Sequence, residues 1–136
     1  MITDGLYSYL YAHAAITDLV SDRIHPIVKN NDTLPAIIYT RVSTVPTHTM
    51  SSSPSIAETR IQVNCLGETY QAAKELADVV RQAIENYSGN WDGETVHTVM
   101  MDSEHDSYDT RSSNNKNNES QRVFGVHQDY IVWHSL

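Results

Sequence analysis

The stretch NCLGETYQAAKELADVV, residues 64–80, runs from the end of a strand through one glycine into a helix. Two kinds of joint share that order. One is the glycine-rich turn whose backbone N–H groups hold a phosphate at a helix N-terminus. The other is a plain corner of a scaffold. A phosphate cradle needs several glycines, and here Gly67 stands alone and is followed by Glu68. A carboxylate at the helix start already occupies the positive end of the dipole and repels a second anion. The joint therefore reads as structural.

The residues on either side of it set the fold class. Ala73, Leu76, Ala77, Val80, Ala83, Ile84 and Tyr87 fall at three- and four-residue steps, which predicts a helix over 70–87 with one stripe on a core. Glu75, Asp78, Gln82 and Glu85 face away. Glu68 and Thr69 suit the start of this helix and Gly89 its stop. Burial of Leu76, Val80 and Ile84 contributes about 1.5–3 kcal/mol each. Upstream, Ile61, Val63 and Cys65 alternate with Arg60, Gln62 and Asn64, the pattern of a half-buried antiparallel strand over 56–66.

Outward from this unit, Ile2, Leu6, Leu10 and Ala14 form a helical stripe over 2–13, with Tyr7 and Tyr11 beside it and Thr3 or Asp4 as a cap. A short turn is expected over 17–21, capped by Thr17, with Leu19 and Val20 inward. Ile24, Ile27 and Val28 suggest a short strand that Pro26 marks as an edge. After a polar loop over 29–34, Pro35 leads a strand over 36–43. Residues 44–55 carry two prolines and many hydroxyls and read as a long flexible loop. NWDGE, 90–94, is a turn. A strand over 95–102 should turn Val96 and Met100 inward. Residues 107–121, rich in Asn and Ser, read as a second long loop. The last strand, 122–135, is apolar on both faces: Phe124, Val126, Tyr130 and Val132 on one, Ile131 and Trp133 on the other, with Gly125 permitting a bulge. Such a strand needs a cover on each side or a partner subunit on one. The expected class is α+β: a mainly antiparallel sheet of about four to five strands, two main helices packed on it, and long polar loops, in one domain over 1–136.

Composition narrows the function. The net charge is −8, and the nine basic residues are scattered singly, so neither a phosphate backbone nor an anionic membrane finds a cluster to neutralise. The apolar runs are far too short to span a bilayer. The first residues show an early acid and no basic segment, so no signal peptide is expected. The single cysteine cannot form an internal disulfide, which fits a reducing compartment. Cys65 continues the buried stripe of Ile61 and Val63 and should be an inert thiol rather than a nucleophile. The seven histidines show no HExxH pattern. Glu104, His105, Asp106 and Asp109 bunch together and could hold a divalent ion weakly, but a solvated turn is the stronger reading. His127 and Asp129 share a strand face as a salt link or an exposed polar pair. No catalytic, cofactor or metal motif stands out, and no enzyme is expected.

LVSDRIHPIV (19–28), LPAIIYTRVS (34–43), RIQVNCLGETYQAAKELADVVRQAI (60–84) and VFGVHQDYIVWHS (123–135) together resemble the tail completion proteins of long-tailed bacteriophages, also called tail terminator or head–tail joining proteins. The similarity runs from about Leu6 to Trp133. It rests on the Arg23-Ile24-x-Pro26 turn, the Pro35-led strand, and the strand–Tyr70–helix unit with its Arg81 spacing. The resemblance implies a virion protein that forms a ring, usually a hexamer, on the last ring of the tail tube. Its expected partners are further copies of itself, the tail tube protein, and the head–tail connector or stopper protein. It further implies assembly in the host cytoplasm and a place at the head–tail junction. Partner contacts are expected from the two loops and the last strand, at Met50, Arg111, Asn115, Lys116, Ile131 and Trp133. The alternatives are a tail tube or head–tail stopper subunit, an adaptor of a phage-like secretion apparatus, and a small metal-dependent enzyme.

Overall fold

A computed structural model of the chain describes residues 2–21, 23–26, 35–46, 56–112 and 120–135. Among the described residues three helices and six strands follow one another: α1 (Ile2–Ala12), α2 (Ala14–Val20), β1 (Ile24–Pro26), β2 (Ala36–Pro46), β3 (Ile56–Gly67), α3 (Tyr70–Ile84), β4 (Gly89–Trp91), β5 (Glu94–Ser112) and β6 (Ser120–Ser135). The strands form one sheet in the order β1-β2-β3-β6-β5-β4. All pairs are antiparallel except β1 on β2. The α+β class is as expected, with six strands in place of four to five and three helices in place of two.

The strand–Gly67–helix joint has the geometry of a corner. Thr69 caps α3, its Oγ1 accepting from the Ala72 N–H at 3.1 Å. A Cβ at Gly67 would stand 2.8 Å from the Ala73 nitrogen, so the glycine lets the strand end pass close to the helix start. The predicted stripe of α3 is buried: Ala73, Leu76, Ala77, Val80, Ala83 and Ile84. These pack with Leu6, Leu10, Ile16 and Val20 of the first two helices against Ile37, Ile61, Val63, Cys65, Val126, Tyr130 and Val132 of the sheet. Cross-strand partners share a face, so the described helices all contribute to a core on one side of the sheet.

Several local expectations are corrected. α3 ends at Ile84 rather than Tyr87, and Gly89 lies in β4. The stop is Asn86, in the left-handed region at φ 63°, whose N–H donates to the Val99 carbonyl of β5 at 2.8 Å. The second helix starts at Ala14 with His13 at its cap position. Thr17 instead bonds back to the His13 and Ala14 carbonyls. Ile16 and Val20, four apart, are its buried pair, and Leu19 is exposed. On β5, Val99 rather than Met100 turns inward. The register steps from Val96↔His134 to Thr98↔Trp133, so one extra residue reverses the alternation. Gly125 sits at no register shift. A Cβ there would meet Ser107 Oγ at 2.7 Å and Leu66 Cδ2 at 3.1 Å.

The two long loops are shorter than their composition suggests. β2 continues to Pro46, and residues 47–55 lie outside the described residues. β5 continues to Ser112 and β6 begins at Ser120, leaving 113–119 outside. A two-stranded ladder satisfies its own backbone groups, so polar side chains do not prevent it. The Tyr108 and Phe124 rings, centroids 4.9 Å apart across the pair, add an apolar clamp.

Candidate assembly surface

The sheet has two unlike faces. The one under the helices is closed. On the other, cross-strand register places residues in rows. Val45, Glu58, Trp133 and Thr98 form one row, and Ser43, Arg60, Ile131 and Met100 the next. Gln62, Asp129 and Ser103 follow, and then Asn64, His127 and His105. Among the described residues no helix covers these rows. Met100 is 52% and Val45 58% exposed, and Ile131 and Trp133 are half-buried beside them.

Polar groups frame this apolar strip. Arg60 pairs with Asp102 at 2.8 Å, a bond that holds its guanidinium still more firmly protonated, and Ser103 donates to Asp129 at 3.1 Å. Aliphatic and aromatic side chains ringed by charge are the anatomy of a protein–protein contact. A smaller apolar group, Ala36, Ile38, Leu66 and Val123, is buried further along the same face.

The expected contact residues fare differently. Ile131 and Trp133 lie two apart on β6 and present one continuous patch. Arg111 is in β5 opposite Gln121, and its side chain lies outside the described residues, as do Met50, Asn115 and Lys116 entirely. Met100, expected inward, and Val45, expected in a loop, also belong to the patch: no residue type announces the extra residue near His97, and β2 runs on through Val45.

The acidic run over 103–109 is strand, not turn. Strand alternation sends Glu104 and Asp106 to the helix side and His105 to the other. Glu104 accepts from Gln128 at 2.8 Å, and Asp106 accepts from Tyr70 Oη at 2.7 Å. Among the described residues no three His, Cys, Asp or Glu side chains converge on a common point. His127 bonds across strands instead of to Asp129: Nδ1 meets Asn64 Oδ1, Nε2 lies 2.6 Å from Ser107 Oγ, and the ring stacks on His105 at 4.8 Å. Burial, then the neighbouring His105, lowers its pKa, with Asp129 opposing. Two open clefts, about 390 and 450 Å³, lie elsewhere, at Arg81–Asn86 and between α1 and β1. No helix among the described residues is long and apolar enough to cross a membrane.

The fold has a counterpart in a solved structure of the virion of a native gene transfer agent particle. The likeness has a TM-score of 0.64 at 11% identity and covers 96% of this chain and 92% of that one. No curated protein matches the sequence significantly. The model of the family described as tail completion protein gp17 matches residues 4–133, which takes in every element from α1 to the apolar end of β6. The chain belongs to the tail completion protein gp17 family.

Proposed function

We propose that the chain caps the tail tube of a long-tailed bacteriophage as an oligomeric ring. The ring ends tube polymerisation and offers the joint to the head connector or stopper. The observation that carries this reading, beside family membership, is the uncovered sheet face with Val45, Met100, Ile131 and Trp133. A sheet that buries one face under helices and leaves an apolar strip on the other is half of an interface. The connections over 47–55 and 113–119, with Met50, Asn115 and Lys116, and the neighbouring Arg111, add contacts to tube and connector. A ring built from subunits of charge −8 has a lumen that repels DNA of like sign and lets it pass without sticking.

The test is complementation of tail assembly with Trp133→Asp and Ile131→Asp. Both positions lie away from the helix-side core, so the variants fold and melt within a few degrees of the native chain. Tails made with them grow beyond their normal length and fail to join filled heads. Normal tail length and normal joining with both variants would sink the proposal. Tubes built from the protein itself would identify it as a tube subunit instead.

A further inference from the structure

Among the described residues both lateral edges of the sheet are largely open, and they are complementary. On one side, β4 covers β5 only over Glu94–Val96. Beyond that end β5 runs on to Ser112, and among the described residues no strand pairs with its outer edge. One outside N–H, from Asn86, reaches the Val99 carbonyl. On the other side, β1 covers β2 over Ile37–Tyr39, and among the described residues no strand lies outside Thr40–Pro46. Residues 41–45 of β2 are exposed in unbroken succession. Each free run has one irregularity, between Arg41 and Ser43 on β2 and between Met101 and Ser103 on β5; beyond it the edge presents a row of N–H and C=O groups that templates another strand, which proteins normally blunt.

We infer that the β2 edge of one copy, Thr40–Pro46, pairs antiparallel with the β5 edge of the next copy, within Met101–Ser112, so that the ring is held by a sheet continuous across subunits. The inference rests on the ring reading above and names its contact. Three features favour this occupant. First, the two edges lie on opposite sides of one sheet, so the contact is heterologous and repeats around a ring. β2 and β5 run in opposite senses, because each neighbour from β2 through β3 and β6 to β5 is antiparallel. Rotation about an axis along the strands preserves these senses, so the new pair is antiparallel.

Second, the short flanking strands sit at opposite ends. β4 lies at the level of Val96, which register carries through His134 and Ala57 to Pro46; β1 lies at the level of Ile37, carried through Cys65 and Val126 to Asp106. A stagger of several residues brings the two free runs together without β1 or β4 colliding with the neighbour. Closed sheets require such a stagger. Third, the charges fit. The free run of β5 carries Glu104 and Asp106, beside an Asp102 that Arg60 already pairs, and the only charge on β2 is Arg41. Two β5 edges would repel each other, while β5 against β2 sets acid against base.

Native mass and hydrogen exchange of the full chain at rising concentration test this. A shift to a closed oligomer is expected, with slowed exchange at 40–46 and 101–112. Thr44→Pro and Val45→Pro then separate inward from outward N–H groups, since these alternate along a strand. The one that keeps the monomer's melting temperature has lost an outward donor and should associate about tenfold more weakly or worse. Arg41→Glu should weaken association about as much at low salt. If the wild-type ring forms unchanged in the folded proline variant and in Arg41→Glu, edge pairing is overturned and the ring reading stands. If the wild-type chain stays monomeric at every concentration, self-pairing is overturned. Tail length in the complementation assay then judges the capping role separately.

Discussion

The side-chain amide of Gln128 donates to the carbonyl oxygen of Ala77 at 2.9 Å, tying the middle of β6 to the middle of α3. The same amide donates to Glu104 Oε2 at 2.8 Å, and its oxygen accepts from Tyr130 Oη at 2.9 Å. Gln128 is fully buried, so these bonds have no water to replace them. Gln128→Ala should cost about 2–4 kcal/mol, read as a lower urea midpoint, by opening a cavity and stranding the Tyr130 hydroxyl. Pairing Gln128→Leu with Tyr130→Phe should recover part of that loss, because it removes the stranded group as well. A Gln128→Ala protein as stable as the native one would show that the tie contributes nothing.

Gly67→Ala places a methyl group 2.8 Å from the Ala73 nitrogen and 3.2 Å from Ala72 Cβ. Both belong to the first turn of a packed helix and cannot yield separately. The expected loss is about 1–3 kcal/mol. Thr69→Ala, which only removes the cap, should cost about 1 kcal/mol. Thermal unfolding of the two variants distinguishes a steric corner from a capping defect.

Acid should weaken the fold through His127. Burial and the stacked His105 lower its pKa, so the folded chain holds this proton less tightly than the unfolded chain does. The unfolded imidazole titrates near about 6.5. Between that value and the lower folded pKa the unfolded state binds more protons, so stability falls as pH drops through the window and is flat above it. His127→Gln should lose less stability than the native chain on going from about pH 7.5 to about pH 5.5. An identical pH dependence in both proteins would count against the assignment.

Cys65 should be silent to thiol reagents in the folded chain. It is fully buried, and burial, with Glu104 adding to it, pushes its thiol pKa far up. The thiolate is the reactive form, so labelling should occur only through unfolding. Its rate should rise with denaturant in step with loss of structure. Rapid labelling in native buffer would place Cys65 outside the core.

Much of this architecture is legible in the residues because one face of each central element is buried. The alternation of Ile61, Val63 and Cys65 and the stripe of α3 record that burial directly. The errors fall where the record stops. β4 is three residues long and hides in a turn motif. The bulge between Val96 and Thr98 is a backbone event with no side-chain signature. Polar strand ends at 107–112 and 120–121 are held by cross-strand pairing, which composition does not encode. Half of the surface patch was readable for the same reason: Ile131 and Trp133 are apolar on the wrong face of a strand already filled by Tyr130 and Val132. Met100 and Val45 join them only through register.

The chain holds two tryptophans, and their placement makes it its own pair of spectroscopic reporters. Trp91 is enclosed against the Tyr87 and Tyr9 rings, with centroids 5.6 Å from each. Its burial predicts a blue emission that reddens when the polypeptide melts. Trp133 is half-buried on the outer face of β6, and in the folded chain its emission should shift when something settles over it. A single ultraviolet titration of a Trp91→Phe protein would therefore follow docking, and one of a Trp133→Phe protein would follow unfolding.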